Sequence, residues 1–392
     1  MTWREVALGD IAEVAAGGGA PQDANDFANE GHPFVRAGSL RDLISSDSAS
    51  KIEYLTPEVA ARHGLRLFPS NTLLFAKSGM SATIGLVHRL RWPAYVVNHL
   101  AALVCRPTLD SAFLLHYLRA FSPAHLIQDA AYPSIRLSDI SAWKIPLPPP
   151  SEQRRIAAIL DKADALRTKR REALALLERL PQSILVDMFG DPAVNSRGWP
   201  CVTFESLCSR VTVGIVVRPA SYYKESGIPA LRSLNIKPGK IVLNDLVYFS
   251  EKDNSGKLRK TQLRAGDLVL VRSGRPGTAA VVPGELDGIN AIDLLIASPK
   301  HDKASSGYLC ELFNSSAGRA LVLSSQRGQI QKHLNVGSLS AAQIALPPIE
   351  LQHQFDDRIA KVTALLAKTY EDLGLQNALF ESLQHRAFSG RL

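Results

Sequence analysis

Two long stretches of this chain carry apolar residues at helical spacing, and each follows a proline-rich run. From Ser151 onward, Ile156, Ile159, Ala163, Leu166, Ala173, Leu177, Leu180 and Ile184 recur in steps of three and four, broken only by Arg170. That is a heptad pattern, and it predicts one amphipathic helix with a continuous seam. The second stretch repeats it with Phe355, Ile359, Val362, Leu366, Leu373, Phe380, Leu383 and Ala387, with polar Thr369 and Gln376 in the series. Pro181 is expected to bend the first helix and Gly374 to weaken the second by about 1 kcal/mol. Before each helix the pattern is different. Short β-rich runs such as "NTLLFA", "AYVVNHLAALVC", "GDLVLV" and "TAAVVPG" alternate with helical patches such as "SAFLLHYLRAF" and "GYLCELFNSSAGRALVL", so a mixed α/β fold is predicted.

The two halves match in a fixed order. Trp3 falls on Trp199 and "GHPFVR" (Gly31 to Arg36) on "GIPALR" (Gly227 to Arg232), at an offset of 196. "LLFAKSG" (Leu73 to Gly79) falls on "LVLVRSG" (Leu268 to Gly274), and "IPLPPPSEQ" on "IALPPIELQ". Asn98 is paired with Asn290, Tyr117 with Tyr308, and "MFG" at Met188 with "AFS" at Ala387. An internal duplication follows. The chain divides into a globular part at 1–150, a helical part at 151–190, a second globular part at 191–346 and a second helical part at 347–392. Two equal seams in one chain can bury one another, and a quasi-twofold arrangement makes them antiparallel. Prolines cannot be drawn into a helix, so each strap sets the angle between a globular body and a rod of about 30 residues, roughly 45 Å long.

Composition narrows the function classes. At 392 residues with a hydrophobic fraction of 46%, two or more cores are affordable. No apolar run of 18 residues occurs and the N-terminus lacks a signal-peptide core, which predicts a soluble, cytoplasmic protein. Cys105, Cys201, Cys208 and Cys310 form no Cys-x-x-Cys pair and are expected to be buried thiols. The net charge of +8 is unevenly spread: zero over 1–150, +2 over 151–190, +7 over 191–346 and −1 over 347–392. The basic third segment suggests a polyanionic partner.

Together with these features, "IPLPPPSEQRRIAAILDKAD", its duplicate "LPPIELQ", the opening "WREVALGDIAEV" and the terminal "HRAFSGRL" make the chain resemble a Type I restriction-modification specificity subunit of the HsdS family. The resemblance covers essentially the whole chain. It implies two target recognition domains, each reading half of a bipartite double-stranded DNA site, separated by a long antiparallel two-helix coiled coil. It also implies docking of two modification subunits, which carry S-adenosylmethionine and methylate adenine, and of restriction subunits in some assemblies. The family motif maps onto Glu152, Gln153, Arg154 and Gln352 as partner-docking residues. Leu351 replaces the acid of the pair in the second copy, so the two docking surfaces are not expected to be equivalent.

Such a subunit is non-catalytic and holds no cofactor or metal of its own. In agreement, the sequence has no Asn/Asp-Pro-Pro-Tyr/Phe tetrapeptide, no Gly-x-x-x-x-Gly-Lys-Ser/Thr loop and no Glu-x-Lys. "AAGGGAP" (Ala15 to Pro21) reads as a plain loop with no clear strand before it. His32, His63, His88, His99, His116 and His125 show no nucleophile–base arrangement. A self-contained methyltransferase or nuclease, and a duplicated protein-interaction adaptor, stay open as alternatives.

The residues that could touch DNA are polar or basic side chains on duplicated loops. Lys77 and Ser78 match Arg272 and Ser273, with Arg275 following. Arg36, Ser39 and Arg41 match Arg232, Ser233, Asn235 and Lys237. Tyr132, Ser134 and Arg136 precede the first strap, and Arg327, Gln329, Gln331, Lys332 and His333 precede the second.

Overall fold

The computed structural model describes residues 3–46, 52–323 and 333–392. The chain divides into two compact units, Met1–Arg170 with Asp372–Leu392, and Arg171–Glu371. Each unit therefore combines one globular body with the beginning of one long helix and the end of the other.

The first body holds a four-stranded antiparallel sheet in the order Ala12–Ala16, Leu100–Cys105, Leu73–Ala76, Val87–Arg89. A second sheet runs Glu53–Leu55, His32–Val35, Ala94–Val96, Leu67–Phe68. The Leu73–Ala76 strand is buried at every position, as its unbroken apolar run requires. The second body repeats the first sheet with Cys208–Val213, Leu294–Pro299, Leu268–Val271 and Ala279–Val281. Its other sheet is Val247–Phe249, Ile228–Leu231, Asn290–Ala291. The α/β reading holds, and so does the repeat.

Strand register corrects two of the sequence pairings. Phe34 pairs with Tyr95 where Ala230 pairs with Asn290, so Asn290 corresponds to Tyr95. Asn98 N donates to Gly18 O where Asp293 N donates to Ile215 O, so Asn98 corresponds to Asp293. The helix Ser111–Ala120 is capped by Asp110 and the helix Ser306–Asn314 by Ser305. Counted from those caps, Tyr308 matches Phe113 and Tyr117 matches Leu312. Identity matching missed the true phase by one helical turn because loop lengths drift between the copies.

A strand, Ala12–Ala16, does precede the glycine-rich stretch. A Cβ on Gly17 would sit 1.9 Å from Val96 O, and one on Gly214 would sit 2.4 Å from Ala291 O. Glycine is there because two backbones touch. Of the cysteines, Cys208 and Cys310 are buried and Cys105 is half-buried, whereas Cys201 is exposed, contrary to expectation. No helix among the described residues is long and apolar enough to cross a membrane.

The straps begin as strands. Lys144–Leu147 pairs with Arg4–Ala7, and Gln343–Ala345 pairs with Cys201–Thr203. Next come the helices Pro150–Phe189 and Ile349–Phe388, 40 residues each. The first runs through Pro181 without interruption, and at 1.5 Å per residue each is about 60 Å long. They pack antiparallel. In the first unit Arg155 donates to Leu392 O at 2.9 Å, Arg167 to Asn377 at 2.9 Å, and Arg170 lies 3.7 Å from Asp372. In the second, Tyr370 bonds to Glu178.

The second seam is the one the heptads predict: Phe355, Val362, Thr369, Phe380 and Ala387 are buried, with Ile359, Leu366, Leu373, Gln376 and Leu383 half-buried between them. Thr369 fits because its hydroxyl donates to Leu365 O. The first seam shifts by one position in its middle. Leu166 is 55% exposed, and Arg167 takes the inward place, its guanidinium 4.1 Å from the centre of the Phe380 ring. Leu174, not Ala173, is then buried, and Leu180 is exposed while Leu185 is buried. A guanidinium can lie flat on an aromatic face and still reach a polar partner, so a charged residue outcompetes a leucine for the seam.

Each long helix also closes the other body's core. Phe388 packs on Phe113 and Tyr117 at 5.7 and 5.3 Å, and Phe189 packs on Tyr308 and Phe355 at 4.8 and 5.3 Å. The matched "MFG" and "AFS" ends are thus equivalent aromatic plugs.

Candidate nucleic-acid interface

In the first unit the three candidate loops converge. Lys77 N donates to His99 O at 2.9 Å, Ile135 N donates to Lys77 O at 2.7 Å, and Gly79 N donates to Pro133 O at 2.9 Å. The loop carrying Lys77 and Ser78 is thereby zipped to the loop carrying Tyr132, Ser134 and Arg136. Gly79, at φ +73°, makes the turn. Ser78 Oγ lies 2.7 Å from His99 Nδ1. Arg41 lines a pocket of about 220 Å3 with Ala37, Gly38, Ser81 and Ile84, which brings the loop after the His32–Val35 strand beside the others. Within it Arg36 is tied to Glu53 at 2.6 Å and lies 5.3 Å from the rings of Phe27 and Phe34, and Ser39 Oγ accepts from Arg36 N at 3.4 Å. Arg36 shapes the loop, while Arg136 and Tyr132 are exposed.

The second unit builds the equivalent place differently. Arg272 donates through Nη1 to Asp293 at 2.5 Å, through Nη2 to His333 Nε2 at 2.6 Å and through Nε to Leu334 O at 3.3 Å. Ser273 Oγ lies 2.7 Å from His333 Nδ1. An arginine only donates, so His333 Nε2 must accept and its proton sits on Nδ1, which donates to Ser273. A histidine in that tautomer cannot take the serine's proton. The Ser–His contact is a structural tie and not an activated nucleophile. Arg275 beyond it is exposed. His99 and Asp293 were not among the sequence candidates, since only the tertiary fold places them against the strand ends, whereas His333 was, and the fold turns it onto Arg272 and Ser273.

Asn235 is not available to DNA. It is fully buried, its Oδ1 accepts from Arg232 N, and its Nδ2 donates to Val242 O and Asn244 O. Arg232 is paired with Asp245 at 3.1 Å, Ser233 is half-buried, and Lys237 is exposed on a short hairpin. Arg327, Gln329, Gln331 and Lys332 lie outside the described residues.

The docking set also needs correction. Gln153 and Gln352 are fully buried. Gln153 Oε1 accepts from Asp110 N at 2.7 Å, while its Nε2 donates to Thr108 O and Pro148 O at 3.0 and 2.8 Å. Gln352 Oε1 accepts from Ser305 N at 2.9 Å and its Nε2 donates to Pro347 O at 2.8 Å. Both amides clasp the start of a long helix to the cap of the body's own helix, which leaves no group for a partner. Glu152 instead forms a two-pronged pair with Arg155, both bonds 2.8 Å, and that guanidinium holds its carboxyl below the usual range. Arg154 is exposed beside a pocket of about 410 Å3 that Arg106 and Asp110 also line. Leu351 packs against the second core.

Residues 1–178 match the family model described as the Type I restriction modification DNA specificity domain. Beyond that segment, the Type I restriction enzyme EcoBI specificity subunit of Escherichia coli is 21% identical over 423 residues, covering 100% of this chain and 86% of that one. The EcoKI specificity subunit of Escherichia coli strain K12 is 23% identical and covers 95% and 84%. Residues 1–178 carry the match to that domain family, and over its whole length the chain is similar to Type I restriction-modification specificity subunits. Solved structures agree at the level of fold. A chain from a study of complex assembly and conformational transition of the type I R-M system aligns with a TM-score of 0.63 at 18% identity, covering 100% and 98%. The S subunit from M. genitalium aligns at 0.56 and 13%, covering 98% and 96%. A Type I specificity subunit supplies DNA sequence recognition, so polar loops at the strand ends are the place to look for base and phosphate contacts. Among the described residues no group of three or more His, Cys, Asp or Glu could hold a metal ion.

Proposed function

We propose that each unit reads one half of a bipartite double-stranded DNA site, and that the chain performs no chemistry of its own. The observation that carries this is the duplicated geometry: Lys77–Ser78 and Arg272–Ser273 leave equivalent strands in equivalent register, each zipped to the loop before its strap. Two copies of one reading surface suit two half-sites. The two long helices serve as spacer and docking rod for two modification subunits, which bring S-adenosylmethionine and methylate adenine, with restriction subunits added in the full assembly. The outer faces of the helices support docking, with Leu176, Leu375 and Leu379 at 69%, 65% and 59% exposure. The assembly works in the cytoplasm, where its DNA is.

The spacer reading is tested by removing one heptad from each helix at facing positions, Arg171 to Leu177 and Lys368 to Gly374. The rod shortens by about 10 Å, and the unspecified gap between the two specified blocks contracts by about 3 base pairs at 3.4 Å each. Mapping methylated adenines in cells carrying the altered subunit reads both gap and blocks. A changed block with an unchanged gap refutes the ruler, and methyl transfer by the purified chain alone refutes the non-catalytic reading.

A further inference from the structure

Beside the reading loops of the first unit stands an apolar feature that phosphate and base-edge contacts do not explain. Among the described residues no large apolar side chain is more exposed than Tyr132, at 81%, and Met80 is 72% exposed. The segments that carry them meet: Gly79 N donates to Pro133 O and Ser78 bridges Ser134 antiparallel, so Met80 and Tyr132 each lie one residue from the same backbone hydrogen bond. Ile84, 52% exposed, lies one turn beyond Met80 on the same face of the helix Met80–Ile84. Leaving three such side chains in water forfeits the gain from burying them, so a partner that covers them recovers it. Cations frame the group: Lys77 and Arg136 lie on the two zipped strands, and Arg41 shares a pocket with Ile84. Apolar tips ringed by positive charge fit the faces of bases within a phosphate frame better than they fit a protein surface.

We propose that Met80 and Tyr132, backed by Ile84, form an apolar prong that packs against base faces at one step of the half-site read by the first unit and opens the stacking there. The proposal rests on the DNA-reading role of that unit. It also accounts for how a body of zero net charge over residues 1–150 holds DNA at all: part of its affinity comes from stacking. The second unit carries Arg275 where the first has Met80, both following a Ser-Gly pair, so its half-site is gripped by charge and stays stacked. Flexible pyrimidine–purine steps open most easily, and the prong therefore favours a block containing one.

The test uses the chain assembled with its modification subunits on a duplex bearing its methylation site. Unstacking is read by permanganate at each thymine and by 2-aminopurine at each adenine, leaving out the methylated adenines, which the modification subunits engage. The expected result is one reactive step, confined to one half-site, that disappears in the double variant Met80→Ala/Tyr132→Ala. Selectivity in that block should fall about tenfold, with the other block and the salt dependence of binding unchanged. Both side chains are exposed, so the thermal melt should not move. Specific binding with no reactive step in either half-site, or with a step that survives the double variant, overturns the prong. Loss of selectivity in both blocks equally would mean a general disturbance, and overturns it too. If the wild-type assembly shows no sequence-specific binding, the DNA-reading role itself fails.

Discussion

The two units place the same two-residue motif at the same strand end and then use it in opposite ways. In the first, Lys77 is held through its backbone alone, with His99 and Ile135 as partners, and its amine points to no ion-pair partner among the described residues. In the second, Arg272 spends its guanidinium on Asp293, His333 and Leu334, and the exposed charge moves three residues on, to Arg275. Duplication therefore preserved where the loop is and not what its first cation does. By contrast, the amide clasps of Gln153 and Gln352 kept both position and task. Buried hydrogen bonds tolerate little change, whereas a solvent-facing cation can be reassigned at small cost.

The clasps give the largest expected effects. Gln153→Leu orphans three backbone groups and Gln352→Leu two, so about 4 and about 3 kcal/mol of stability should be lost respectively. Denaturant unfolding of the whole chain, with hydrogen exchange assigning the loss to the matching unit, checks this. Equal, small losses would show that the clasps are not what joins helix to body.

Acid separates the units next. Burial, then the nearby Arg119 and Arg89, pushes His88 in the first unit down to about 4 from 6.5, and burial also lowers His116 against the opposing pull of Asp161. A depressed histidine takes up its proton only on unfolding, so this unit loses stability as pH falls from about 6.5 to about 4, by about 3 kcal/mol from His88 alone. In the second unit burial raises the carboxyls of Glu311 and Asp356. Raised carboxyls add stability that is present at low pH and lost as pH rises, so the second unit moves the opposite way. Hydrogen exchange between pH 7 and pH 5 should show the first unit loosening while the second does not, and His88→Gln should flatten the first unit's response.

The reassigned cations differ by a smaller measure. Lys77→Ala should lower the slope of log affinity against log salt by about 1, and Arg275→Ala likewise, whereas Arg272→Ala should weaken recognition of one half-site with little change of slope. A slope change at Arg272 equal to that at Lys77 would return Arg272 to the phosphate-contact role. Smallest is Gly374. It lies in the Ile349–Phe388 helix and a Cβ there meets nothing within 4 Å, so Gly374→Ala should stabilise the second helix by about 1 kcal/mol, seen as a higher melting temperature.

Much of this molecule is determined by its sequence alone. The duplication, the α/β bodies, the straps and the second seam from Phe355 to Ala387 all follow from patterns of apolar residues, because a period of three and four leaves one face to bury and proline ends the strap. Tertiary structure decided the rest. The seam through Arg167 rather than Leu166 depended on the Phe380 ring arriving from the other helix, more than 200 residues away. The inward turn of Gln153 and Gln352, the burial of Asn235 and the tie between Arg272 and His333 depended on backbone groups and side chains that only folding brings within 3 Å. A polar side chain in one sequence looks the same whether it will face water, DNA or a buried carbonyl, and what separates these fates is the hydrogen-bond partner, which lies far along the chain.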